Sequence, residues 1–192
     1  MKNGWQMGLT MRVIAGKARS LNLKSPVGED TRPTTDRIKE TLFNILQPHL
    51  ADCVFVDLFS GSGAIGIEAL SRGAAKCYFV ENGQNAFTSM MDNITFTKLI
   101  DESIILKQDV FFAVKNSINE KVDIIFMDPP YNIECEKKVL EILSNKASID
   151  NNTLIVVESS LETDLSYVSQ LGFSITKEKK YKTNKHTFLY KI

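Results

Sequence analysis

Cys53-Val-Phe-Val-Asp57-Leu-Phe-Ser-Gly61-Ser-Gly63-Ala-Ile-Gly66 decides the fold of this 192-residue chain. The apolar run ending at Val56 predicts a buried strand. Glycines at 61, 63 and 66 predict a tight turn, a close backbone approach and close helix–strand packing as a helix begins near residue 63. The same rhythm continues downstream. Further strands are expected at 76–80, 103–107, 121–127 and 153–157, after the first at 53–57. Helices are expected at 63–72, 84–98, 110–117, 134–145 and 162–171. The strands are apolar throughout rather than alternating, as a parallel sheet covered on both faces requires.

Both ends break this rhythm. Phe173–Lys177 and His186–Tyr190 alternate around a Lys/Asn/Thr-rich loop, which predicts a terminal antiparallel hairpin. Upstream, Met11–Ile14 and Leu21–Leu23 flank a turn-like Ala15–Ser20, a small basic hairpin. Arg32-Pro-Thr-Thr-Asp36 starts a helix, with a Thr cap and Asp in the first turn, and Pro48 stops it. The expected class is α/β: a doubly wound, mostly parallel, seven-stranded Rossmann-like sheet with a C-terminal antiparallel hairpin and a small N-terminal β-hairpin appendage. The expected division is a leader at 1–10, the basic hairpin at 11–33 and the main domain at 34–192.

With 43% hydrophobic and 24% charged residues the chain can fill a core, and no apolar run approaches the ~18–20 residues that span a bilayer. The first ten residues lack the apolar stretch of a signal peptide. Cys53, Cys77 and Cys135 have no metal-ligand spacing, and two of them fall in or beside apolar strands. This points to reduced core thiols, a cytoplasmic protein and no structural metal. Net charge is zero but segregated. Residues 1–39 hold eight Lys/Arg against three acids, and residues 176–192 six lysines against Glu178. Such termini could form a phosphate-binding surface, with Arg12, Lys17, Arg19, Arg32 and Arg37 as candidate RNA contacts.

Three acids follow strands. Asp57 precedes the glycine turn, where a carboxylate repels a pyrophosphate but can hold the amino group of an amino acid. Glu81 ends the next strand, about 20 residues after Gly61, where an acid can bind ribose hydroxyls. Asp109 ends the third unit, placed for an adenine amine. This set suits S-adenosylmethionine, a cationic cofactor without phosphates. A nicotinamide enzyme remains the rival, because a glycine turn with a distant acid also fits a dinucleotide. The candidate cofactor residues are Asp57, Phe59, Gly61, Ser62, Gly63, Glu81, Asp109 and Val110. The neighbouring Phe111-Phe112 is expected in the core.

Asp128-Pro-Pro-Tyr131 follows the apolar Val122–Met127. Prolines hold the backbone extended and cannot donate, so the Asp128 carboxylate and the Pro129 carbonyl remain as acceptors at the sheet's mouth. Acceptors beside the flat ring of Tyr131 suit a planar base with an exocyclic amine. Asp128, Pro129, Pro130 and Tyr131 are therefore the candidate catalytic residues. His49 is expected at the surface. His186 alternates with core residues and is expected to be structural.

Asp57-Leu-Phe-Ser-Gly-Ser-Gly63, Glu81 and Asp128-Pro-Pro-Tyr131 together resemble class I S-adenosylmethionine-dependent methyltransferases. Met11-Arg-Val-Ile-Ala-Gly16, Arg32-Pro-Thr-Thr-Asp-Arg37, Glu40-Thr-Leu-Phe-Asn44 and Gly66-Ile-Glu-Ala-Leu-Ser-Arg-Gly73 are similar to the RsmD family. That resemblance runs from Met11 to the C-terminus. It implies methylation of the exocyclic N2 amine of one guanine in bacterial small-subunit ribosomal RNA, with the assembled subunit or its precursor as substrate. It also implies cofactor contacts at the glycine loop, Glu81 and Asp109, with Asp128 to Tyr131 on the base. Separately, a monomer is expected. The tetrapeptide is shared with adenine-N6 and glutamine methyltransferases, so those activities are the alternative. One departure is Tyr181-Lys-Thr-Asn-Lys-His186, where such proteins carry a Tyr-Gly-type turn.

Overall fold

The computed structural model describes residues 11–26, 35–130 and 134–192. The expected leader, Arg32, Tyr131 and the boundary between 33 and 34 lie outside the described residues. The elements are β1 (Met11–Arg12), β2 (Asn22–Leu23), α1 (Asp36–Leu46), β3 (Val54–Leu58), α2 (Ala64–Ser71), β4 (Lys76–Val80), α3 (Gln84–Phe96) and β5 (Ser103–Leu106). After these come α4 (Val110–Phe112), β6 (Ile124–Met127), α5 (Cys135–Ser144), β7 (Leu154–Ser160), β8 (Phe173–Lys180) and β9 (Asn184–Lys191).

Seven strands form one sheet in the order β5-β4-β3-β6-β7-β9-β8. The first five are parallel, and β9 and β8 add antiparallel at the end. The chain winds outward from β3 through β4 to β5, then returns to place β6 on the other side of β3. The sheet's reversal point therefore lies between β3 and β6, where open α/β sheets bind ligands beyond the strand ends.

Alternating strand residues feed two apolar layers. Phe55, Phe79, Phe126, Val156 and Phe188 pack with Leu42, Phe43, Ile67, Leu70 and Met90 from α1, α2 and α3. On the other face Val56, Leu58, Ile125, Met127, Ile155 and Val157 pack with Val114, Val139, Leu140 and Leu143. Burying side chains of this size contributes about 1.5–3 kcal/mol each. Two-sided burial explains why the sequence of these strands does not alternate.

The N-terminal hairpin shares the first layer, since Met11, Val13, Ala18 and Leu23 belong to the same apolar cluster. A buried carboxylate anchors it. Glu68 of α2 accepts the backbone N–H groups of Ile14 at 2.7 Å and Ala15 at 3.1 Å. It also meets Arg72 at 2.7 Å and Lys39 at 3.5 Å. Lys39 thus leaves the basic surface to which its sequence position assigns it; its side chain is 2% exposed.

Two expected helices differ. Residues 162–171 yield only a 3₁₀ turn, Ser166–Leu171. The Asp164 carboxylate accepts Ser166's N–H at 2.8 Å and hydroxyl at 2.9 Å, a local turn that delays the start of the segment, and Gly172 at φ 79° ends it. Residues 110–117 begin as α4 and widen into a π-helical turn, Ala113–Ser117, with Ile118 N–H donating to the Ala113 carbonyl.

Candidate active site

The loop after β3 is fixed before any ligand is considered. Phe59 sits at φ 62°, a left-handed conformation that costs a non-glycine residue about 1–2 kcal/mol. Ser60 holds it there. Its N–H donates to the Val80 carbonyl at 2.9 Å, its hydroxyl donates to the Asp57 carbonyl at 2.7 Å, and the Val80 N–H donates back to the hydroxyl at 3.0 Å. Gly63 at φ 78° completes the turn and opens α2. Gly66 packs so closely on β4 that a Cβ would fall 2.3 Å from the Phe79 ring and 2.7 Å from Cys77 Sγ.

Each candidate acid buttresses the loop beside it. Glu81, half-buried, accepts Gly61 N–H at 2.8 Å on one oxygen and Gly83 N–H at 2.6 Å on the other. Asp57, buried, accepts Gly66 N–H at 2.9 Å in the first turn of α2. Burial raises its carboxyl from 3.8 to about 7, against the Gly66 hydrogen bond that lowers it, with Glu81 adding to the rise. Asp109 is exposed and caps α4, taking the N–H groups of Phe111 at 2.9 Å and Phe112 at 3.1 Å. Val110 behind it is buried.

These residues fit S-adenosylmethionine. A carboxylate offers about four lone-pair positions, so Glu81 keeps acceptor capacity for a ribose diol after its two backbone bonds. Gly61 faces open space, with nothing within 4 Å of a built Cβ. Glu81, joined by Asp57 once it ionises above about 7, puts negative potential around the loop, which suits a cation and opposes a pyrophosphate.

Asp128 stands directly after β6. Leu58↔Met127 is the last paired position between β3 and β6, so Asp128 lies beside Phe59 across the reversal point. Burial holds its carboxyl well above the usual range, and the charges of Glu158 and Asp57 push the same way. Pro129 is buried and Pro130 exposed.

The candidate RNA residues lie on the N-terminal segment and α1. Arg12 pairs with Asp36 at 2.7 Å and Lys17 with Glu102, both at the surface. Arg19 and Arg37 are exposed. Phe112 is 56% exposed rather than in the core, and with Phe111, Lys115 and Lys146 it borders a groove of about 780 Å³ beside α5. His49 is exposed; Cys53, Cys77 and Cys135 are all buried and free. Among the described residues no His/Cys/Asp/Glu cluster could hold a metal, and no helix is long and apolar enough to cross a membrane.

Two positioning residues fall outside the candidates read from the sequence. Ser60 lies within the Asp57–Gly63 motif but reads there as one more small loop residue. Asn93 of α3 is 1% exposed, and its amide donates to the carbonyls of Ser62 and Lys24 at 2.9 Å each while accepting Lys24 N–H at 2.8 Å. It ties the N-terminal segment to the glycine loop.

The fold and this loop define a Rossmann-like methyltransferase. The chain belongs to the family described as Conserved hypothetical protein 95, whose model matches residues 11–190, and this is the RsmD family. It is similar to the ribosomal RNA small subunit methyltransferase D of Escherichia coli K12, at 32% identity over 88% of this chain and 84% of the relative. The Haemophilus influenzae protein of the same name is 33% identical over 88% of each chain. Among solved structures, yhhF from Escherichia coli superposes with a TM-score of 0.83 at 30% identity, covering 95% of this chain and 98% of that one.

Proposed function

We propose that the chain methylates the exocyclic N2 amine of a guanine in bacterial small-subunit ribosomal RNA, acting in the cytoplasm as a monomer on the small subunit or its assembly intermediate. The observation that carries this reading is the placement of Asp128 and the Glu81-braced glycine loop on the two strands that flank the sheet's reversal point. The names of the relatives supply the substrate class.

S-adenosylmethionine, when bound, supplies an electrophilic methyl group. Glu81 would hold its ribose, the Gly61–Gly63 turn would admit its backbone-facing side, and Asp57 and Asp109 would receive its amino and adenine amine groups. Phe59, Ser62 and Val110 would shape the surrounding wall. On the substrate side, the guanine amine is a weak nucleophile because its lone pair is delocalised into the ring. Asp128 and the Pro129 carbonyl would accept its two hydrogens and localise that lone pair. Orientation of this kind contributes up to about 7–11 kcal/mol in ideal cases. As positive charge develops on nitrogen, Asp128 would stabilise it and take up the amine proton, for which burial raises its carboxyl's affinity. Pro130 keeps the segment extended, and Tyr131 would stack on a base removed from its neighbours. Arg12, Lys17, Arg19, Arg32 and Arg37 would meet RNA phosphates.

The test is nucleoside mass spectrometry of small-subunit ribosomal RNA from a strain lacking the gene. Loss of one N2-methylguanosine relative to the parent supports the reading, and an unchanged nucleoside inventory refutes it.

A further inference from the structure

Four polar side chains run across one face of the sheet near its C-terminal edge. Asp57 is in register with Phe126, Phe126 with Val156, and Glu158 with His186. Side chains two apart on a strand share a face. Asp57, Asp128, Glu158 and His186 therefore line one face, each on or just past a different strand. The far pair is deeply enclosed: Glu158 is 4% exposed and His186 not at all.

Buried polar groups are costly unless satisfied, and Glu158 and His186 are. His186 Nε2 lies 2.9 Å from Glu158 Oε2, and the Asn184 amide donates to Glu158 Oε1. The Tyr181 hydroxyl lies 3.2 Å from His186 Nδ1, and Phe126 meets the imidazole edge-on at 6.0 Å between centroids. An apolar pair would pin β9 to β7 at least as well. What the polar pair adds is a charge beside Asp128: Met127 pairs with Val157, so Asp128 follows next to Glu158 on the adjoining strand, and after burial Glu158 is the foremost cause that holds its carboxyl up. Among the described residues, the other titratable groups around the pair are Asp57, Tyr181 and Lys179, which is in register with His186 on β8. Lys185 points to the other face and pairs with Glu178 at 3.3 Å.

We propose that Glu158 and His186 are positioning residues for Asp128: Glu158 sets the charge state of Asp128 from the adjoining strand on the same face, and His186, with Asn184, sets how much of Glu158's charge Asp128 feels. This rests on the reading that Asp128 receives the target amine. Loss of Glu158's charge makes Asp128 easier to ionise. Loss of a donor to Glu158 makes it harder.

The direct test is the pH titration of the Asp128 carboxyl carbon by NMR in the full-length protein, assigned by its disappearance in Asp128→Asn. Glu158→Gln should lower the midpoint by about one pH unit, and His186→Phe, which keeps a ring but has no donor, should raise it by a similar amount. Should His186→Phe fail to fold, Asn184→Ala, which removes the other donor to Glu158, should raise it likewise. The acid limb of kcat for RNA methylation should move with these midpoints while the RNA KM stays within about twofold. A midpoint unchanged in Glu158→Gln, or moving the same way in both kinds of variant, overturns the proposal. The titration needs no turnover, so a parent protein that fails to methylate RNA would refute the substrate reading and leave this measurement standing.

Discussion

Glu81 accepts the Gly61 N–H at 2.8 Å, so the acid that ends β4 is a structural part of the turn that follows β3. The residue assigned to the ribose also sets the shape of the glycine loop. With the proposed ribose contact at Glu81, cofactor binding and loop order would be coupled through one side chain.

Glu81→Ala should weaken S-adenosylmethionine binding by roughly 1–3 kcal/mol, the scale of a lost charge-assisted hydrogen bond, with further loss from the freed loop. Calorimetry measures it. The parent should show no measurable affinity for NAD under the same conditions.

Asp57 gives the fold a pH dependence. Its carboxyl titrates near 7 in the folded protein and near 3.8 when unfolded, so between these values the native state holds a proton that the unfolded state has released. Stability therefore falls as pH rises through this window. Asp57→Asn keeps an acceptor for Gly66 and cannot ionise. It should flatten the decline between pH ~4 and ~7 and leave the variant the more stable protein at pH 8, as read by urea denaturation across pH.

The pattern of buried parallel strands was legible because two-sided burial leaves continuous apolar runs, as at Val54–Val56 and Leu154–Val157. Glycine spacing located the turn, and Gly66 does abut β4. Contacts made across distant sequence were not legible. Lys39 sits beside Ile38 on an amphipathic helix and reads as surface; only the docking of α1 on α2 brings it to Glu68. Glu158 and His186 are 28 residues apart, and antiparallel register alone makes them a pair. The 3₁₀ turn at Ser166–Leu171 escaped because periodicity cannot show that a local turn at Asp164 delays the start of the segment.

The anchor of the N-terminal hairpin can be tested by removing Glu68. Glu68→Ala leaves Lys39 buried without its carboxylate and deprives the Ile14 and Ala15 N–H groups of their acceptor. A loss of about 3–5 kcal/mol is expected in equilibrium unfolding, the scale for a broken buried ion pair. Hydrogen exchange at Ile14 and Ala15 should accelerate in Glu68→Ala and stay protected in Arg12→Ala.

RNA affinity should depend steeply on salt. Arg12 and Lys17 spend their charge on surface carboxylates, pairings worth about 0–1 kcal/mol that a phosphate can displace. Replacing Arg12, Lys17 and Arg19 with Ala should weaken RNA binding and reduce the slope of log K against log salt. The reduction is about 0.7 for each single-strand phosphate that the variant no longer neutralises. Cofactor affinity should be unaffected. Filter binding across a salt series checks both.

Whether Asp128 acts on a guanine amine in small-subunit ribosomal RNA can be measured outright. Purified protein is supplied with methyl-labelled S-adenosylmethionine and small ribosomal subunits from the deletion strain, followed by nucleoside mass spectrometry. Label should enter N2-methylguanosine with the parent protein and be almost completely lost with Asp128→Ala, whose cofactor affinity should match the parent's. Label in N6-methyladenosine or in protein, or parental turnover by Asp128→Ala, would contradict this assignment.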